Sequence, residues 1–238
     1  MPQPRLATDV AEGEIALFRW RLDASPGGLA ACHVLLSAEE RSRAGRMIAP
    51  AAEHFIAAHG GMRRILGACV GQHPAALRLV VGPFGKPHLP DHPELRFSLS
   101  HSRGLAILAA TRGMEVGVDI ELCRPVRDGL AERYFAPSEA AALRALPEPD
   151  RTVAFFACWT RKEAFVKALG TGLSTRLDSF EVSVRPDEPA RLVHVAGDAQ
   201  EAARWRLHDL APAPGYAGAV ALRNPSARLV CRVMEPSS

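Results

Sequence analysis

Residues 95–121 read LRFSLSHSRGLAILAATRGMEVGVDIE, and this stretch decides the fold. It reads as two strands, 95–100 and 104–111, joined through His101-Ser102-Arg103, and then a third strand, Glu115 to Glu121. Upstream, residues 14–22 (EIALFRWRL) are apolar and aromatic enough for another strand. Ser37-Ala38-Glu39-Glu40 is a capping-box pattern that opens a helix to about Met47. Pro50 interrupts, and a helix resumes over 52–69 with Phe55, Met62, Leu66 and Cys69 along one stripe. Gly82 to Pro87 is a turn-rich loop.

Downstream, short helices are expected around 128–134 and 138–146, and a long one over 150–169 that stops at Gly170-Thr171-Gly172. Strands are expected at 178–184, 191–196, 203–210 and 215–222. Each half thus holds a leading strand, helices and further strands. That order predicts an α+β fold with helices laid on mostly antiparallel sheets, divided into related halves 1–114 and 115–238.

Composition removes several classes of protein. The chain has 238 residues, 47% hydrophobic and 23% charged, an ordinary globular balance. The apolar run Leu105–Ala110 falls far short of the roughly 18 residues of a membrane span, and MPQPRLATDVAEGE has no signal-peptide pattern. Cys32, Cys69, Cys123, Cys158 and Cys231 are scattered without a CxxC, which predicts reduced thiols and a cytoplasmic protein. A net charge of +3 does not announce a nucleic-acid binder. Lysine is rare: of 29 basic residues only Lys86, Lys162 and Lys167 are not arginine.

Asp119 and Glu121 lie two apart on a strand, so both point to one face. Their neighbours are apolar, so the pair needs either a divalent metal or a basic side chain. On the long helix, Glu163 and Lys167 are four apart, the spacing of a helical ion pair, which a solvated surface would also carry. Lys162 falls within the apolar arc, so either its stem snorkels or it meets a buried carboxylate. Magnesium takes one or two protein carboxylates and fills its shell with water and phosphate oxygens. Asp119, Glu121 and Glu163 supply such carboxylates; Lys167, Lys86, His101 and some arginines suit phosphate. No Walker loop, dinucleotide fingerprint or kinase set accompanies them.

Phe84-Gly85-Lys86-Pro87, FSLSHS (97–102), VGVDIE (116–121) and WTRKEAFVKALGTGL (159–173) occur in this order. Together they resemble the 4'-phosphopantetheinyl transferases of the larger, Sfp-like branch. The resemblance covers about 84–182, with RYFAPSE (133–139) similar to the intervening segment. It implies two pseudo-symmetric subdomains with coenzyme A in the cleft between them. It also implies Mg2+-dependent transfer of phosphopantetheine from coenzyme A to a serine of an apo acyl- or peptidyl-carrier protein, releasing 3',5'-ADP.

Carried over by position, Asp119, Glu121 and Glu163 are the metal ligands. His101 and Lys167 hold the coenzyme phosphates with Ser100, and Gly85-Lys86-Pro87 lies near the nucleotide. Glu163, Lys167 and His101 are the expected catalytic residues, with Glu163, or a metal-bound water it orients, as candidate base. Relatives often carry basic residues where this chain has Ala49-Pro50-Ala51-Ala52, so Arg41, Arg46, His54 and Arg63 become substitutes for the outer phosphate. Arg41 and Arg46 would equally suit a solvated helix face.

The carrier is expected over residues 121–150, and a monomer is expected, with no nucleic-acid or membrane partner. Two other readings stand beside this one: a non-catalytic module that binds coenzyme A and carrier, and a magnesium phosphohydrolase.

Overall fold

A computed structural model of the protein describes residues 9–233 apart from 186, 196, 197, 199 and 225. The reading of residues 1–14 therefore falls largely outside them. Among the described residues no helix is long and apolar enough to cross a membrane.

In the first half, β1 (Glu14–Arg21) is followed by α1 (Pro26–His33), α2 (Ala38–Ala44) and α3 (Ala51–Val70). A short ladder, β2 (Val80–Val81) with β3 (Pro87–His88), precedes the hairpin of β4 (Leu95–Ser102) and β5 (Leu105–Arg112). The second half begins with β6 (Val116–Leu122) and continues through α4 (Leu130–Tyr134), α5 (Pro137–Ala145) and α6 (Glu148–Leu169). A second small ladder pairs β7 (Phe180–Val182) with β8 (Leu192–Val195), and then come β9 (Arg206–Leu210), β10 (Tyr216–Leu222) and β11 (Arg228–Val233).

Two sheets carry the fold, in the orders β11-β1-β5-β4 and β6-β10-β9. Most pairings are antiparallel, as expected for α+β. The exception is β11, which runs parallel to β1 with Glu14 opposite Arg228. A division at residue 114 therefore leaves one strand on the wrong side, because the backbone bonds of β11 go to the first sheet. The sequence pattern gives no strand at β11, β2 or β3 and no helix at α1.

Helix α1 escapes a propensity argument because it contains Gly27 and Gly28, each costly in a helix interior. Its start is nonetheless marked by the Ser25 cap and Pro26. Contact with α3 holds it: a Cβ on Gly60 would lie 2.5 Å from the Cβ of Cys32. The predicted strand 191–196 is seen as Leu192–Val195, its last position lying outside the described residues.

Alternation along the strands builds a layered core. Ala16, Phe18, Ala106, Leu108 and Phe97 face α3, where Ile65 and Leu66 are fully buried. Ile15, Leu17, Ile107 and Ala109 face the other way and pack against Val116, Val118, Ile120 and Val220 of the second sheet. Helix α6 covers the far side through Ala164, Phe165 and Ala168, against Ala219 and Ala221. The layers run α3, first sheet, second sheet, α6.

Helix α6 ends on Gly170 in the left-handed conformation, where a side chain is disfavoured. Lys162 is fully buried within α6 and pairs with the equally buried Glu139 at 2.8 Å, so the buried-carboxylate alternative is the one realised. Its ammonium also donates to the carbonyls of Leu177 and Phe180.

Candidate active site

The seam between the two sheets opens into a cavity of about 1520 Å³. One wall is the edge strand β4. Its side chains alternate, so Ser100 turns towards β6 while His101 turns towards α2 and α3. The opposite wall is β6, which supplies Asp119 and Glu121, together with α6, which supplies Glu163 and Lys167. All six side chains line the same cavity.

Gly117 allows the close approach of helix and strand. A Cβ there would lie 2.1 Å from the Ala164 carbonyl oxygen and 2.3 Å from the Ala168 amide nitrogen. With only hydrogen at that position, α6 rests directly on β6 and Lys167 reaches Asp119. Lys167 Nζ is 2.6 Å from Asp119 Oδ1 and 3.1 Å from Ser100 Oγ. The helical pair Glu163–Lys167 is thus replaced by a pair that joins two elements.

Asp119 Oδ2 is buried and has no hydrogen-bond partner among the described residues. Around it the electrostatics are unbalanced. Burial, then the charge of Asp119, raises the carboxyl of Glu163 above its ordinary value, and Glu121 adds to this. Burial also raises Glu121, against the lowering effect of the Ser102 hydroxyl bonded to it at 2.8 Å.

Three carboxylates with one ammonium call for a further cation. The donors are hard oxygens, the chemistry of magnesium rather than of a soft metal. The orphaned Asp119 oxygen fits that reading. Among the described residues no three such groups are yet gathered at ligating positions; Lys167 occupies the other Asp119 oxygen.

The α3 side of the cavity is basic. Loss of water, then the positive charges of His59, Lys167, His54 and Arg43, push His101 down to about 4. His59 is fixed by two contacts: its Nδ1 is 2.9 Å from Glu40 Oε1, and its ring stacks on Phe55 at 3.9 Å. Burial alone would raise Glu40, but its bonds with His59, the Ser37 amide and Arg63 bring it down to about 2. Arg43 lies over the Phe55 ring at 5.2 Å and also lines the cavity.

Two expected arginines are elsewhere. Arg41 donates to the Leu36 carbonyl and Arg46 to Ser42 Oγ, and neither lines the cavity, because α2 turns Arg43 inward instead. His54 is also off the lining, although its charge is felt by His101. Arg63 is buried and donates to Glu40 and to the Pro74 and Leu77 carbonyls.

Lys86 departs from expectation as well. Pro87 and the Lys86 stem line the cavity, but the ammonium donates to Glu115 Oε2 at 2.9 Å, the Val116 carbonyl at 3.2 Å and the Ala168 carbonyl at 3.1 Å. Its three protons clamp the loop to β6 and to the end of α6. Burial lowers its pKa, partly offset by Glu115.

Another part of the cavity lining is apolar and aromatic. Tyr134 and Trp159 meet edge to face at 5.8 Å, with Val166 and Leu177 beside them.

A curated relative from a Nostoc species, the 4'-phosphopantetheinyl transferase HetI, is 36% identical over 230 residues, covering 93% of this chain and 92% of its own. The chain belongs to the 4'-phosphopantetheinyl transferase superfamily. The profile of that superfamily matches residues 115–221, the half that carries the three acids and Lys167. The Sfp transferase of Bacillus subtilis is 37% identical over 111 residues, 47% of this chain and 49% of its own. Among solved structures, the Thermotoga maritima holo-acyl-carrier-protein synthase superposes with a TM-score of 0.39 at 24% identity, covering 47% of this chain and 64% of that one.

Proposed function

We propose that this chain moves the 4'-phosphopantetheine group of coenzyme A onto a serine hydroxyl of an apo acyl- or peptidyl-carrier protein, releasing 3',5'-ADP. The observation that carries this is the meeting of Asp119, Glu121, Glu163 and Lys167 in one large cavity, with Asp119 Oδ2 unpartnered. Family membership supports the same reaction.

In this reading Asp119, Glu121 and Glu163 would hold Mg2+, which when bound supplies a Lewis acid to the diphosphate. Lys167 places a fixed positive charge where the bridging oxygen gains negative charge as the phosphorus–oxygen bond breaks. The new bond forms between the same phosphorus and the serine oxygen, whose proton must leave. Glu163, or a water that it orients, is the base we assign, from its place in the cavity beside Asp119 and Lys167.

His101, His59 and Arg43 form the pole for the nucleotide's outer phosphate. The aromatic part of the lining at Tyr134 and Trp159 suits the pantetheine arm. We place the carrier over residues 121–150 and the reaction in the cytoplasm. Every residue named belongs to one chain, so a monomer suffices.

The test is incubation with coenzyme A, Mg2+ and an apo carrier protein, read by mass spectrometry. A phosphopantetheine gain on the carrier serine is expected. Free phosphopantetheine without carrier gain would point to a hydrolase, and coenzyme A binding without turnover to a binding module; either overturns the proposal.

A further inference from the structure

Strands β4 and β6 lie side by side as edges of different sheets, with no backbone ladder between them. Side chains make the connection. The amides of Val118, Ile120 and Leu122 donate to the hydroxyls of Ser98, Ser100 and Ser102, each at 3.2 Å. The period is two on both strands, so the three hydroxyls stand in for the carbonyls a partner strand would offer.

A hydroxyl that accepts an amide still has one proton to give. Ser100 gives it to Asp119 Oδ1 at 2.9 Å, and Ser102 gives it to Glu121 Oε2 at 2.8 Å. Each of these serines thus grips one acid and the amide of the next residue, and the arrangement repeats two residues on. Ser98 accepts its amide in the same way but donates to no carboxylate among the described residues. Asp119 has Lys167 as a second partner, whereas the Ser102 bond is the one hydrogen bond present to Glu121 among the described residues.

We propose that Ser100 and Ser102 are positioning residues that fix Asp119 and Glu121 as metal ligands, and that Ser98 is a structural rung of the same ladder. This rests on the magnesium reading above. Groups that orient metal ligands typically change affinity by about 10–100-fold when removed. The ladder therefore ties cohesion of the two sheets and metal affinity to the same hydroxyls, and substitution can separate the two.

The experiment compares Ser98→Ala, Ser102→Ala and Ser102→Thr in the full chain. Mg2+ is titrated calorimetrically in the presence of coenzyme A, and thermal unfolding is followed in parallel. Ser98→Ala loses one cross-sheet bond and Ser102→Ala loses two, one of them to Glu121, so both are expected to melt lower, Ser102→Ala at least as far. Only Ser102→Ala is expected to weaken Mg2+ binding, by about 10-fold or more, with Ser102→Thr restoring it. Where Ser102→Ala does not fold, Ser102→Cys keeps the volume with a weaker donor and reads the same difference.

Equal Mg2+ affinity in the Ser98 and Ser102 variants, with the wild type binding Mg2+, overturns the positioning role alone. A wild type that binds coenzyme A but no Mg2+ overturns the metal reading and the positioning role together.

Discussion

Lys167 Nζ lies 2.6 Å from Asp119 Oδ1, so the long helix and the acid-bearing strand meet in an ion pair inside the cavity. Lys167→Met removes that charge while keeping most of the stem. Turnover measured by mass gain on the carrier is expected to fall about 10²–10³-fold, the usual cost of losing one preorganised donor. A change of less than about threefold would remove Lys167 from the chemistry.

Glu163→Gln separates activity from stability. A carboxyl raised in the folded state is held there at a cost while charged, a cost that fades as pH falls through the folded value. The variant is expected to lose transfer activity and yet melt higher at pH 7. Its advantage over wild type should shrink on acidification, because wild-type Glu163 then protonates. Retained turnover with metal still bound would exclude Glu163 as the base.

His101 offers a direct titration. In the free protein its imidazole is expected to titrate near 4, well below the ordinary 6.5. Stability that depends on the neutral ring is therefore lost as pH falls from about 6.5 towards 4. Coenzyme A should move the NMR titration upward as phosphate charge offsets His59, Lys167, His54 and Arg43. An unchanged midpoint on saturation would place the phosphates elsewhere.

Outer-phosphate recognition is read by comparing coenzyme A with 3'-dephospho-coenzyme A. Arg43→Ala and His59→Ala are each expected to raise KM for the first by about 10-fold or more, the worth of a charge-assisted hydrogen bond, and to leave KM for the second nearly unchanged. Equal effects on both substrates would contradict the assignment.

Gly117→Ala is expected to damage both fold and function. Its methyl would meet Ala164 O at 2.1 Å, so α6 must lift from β6. Overpacking of this kind costs about 1–3 kcal/mol, and here it also draws Lys167 away from Asp119. A variant with wild-type melting and turnover would show that the close approach is dispensable.

Much of the site was legible because its residues sit in short, regular patterns. Asp119 and Glu121 share a strand face at a spacing of two, and the α6 motif places Glu163 and Lys167 one turn apart. The cations for the outer phosphate were harder to read. Arg41, Arg43 and Arg46 all lie on or beside α2, and which one turns inward depends on how that short helix packs on α3. His59 did carry a signal, falling in the Phe55–Met62–Leu66 stripe, where a polar residue needs a partner such as Glu40. Lys86 could not be resolved, because its carbonyl partners come from β6 and α6, which only the folded chain brings to the loop.

The parallel pairing of β11 with β1 sets an order of events during synthesis. Leu17 and its neighbours leave the ribosome early, yet the strand opposite Leu17 is centred on Cys231, more than two hundred residues later. Until then β1 keeps an open edge, the kind of surface that recruits other strands. Expression of the first half alone should therefore yield a sticky fragment.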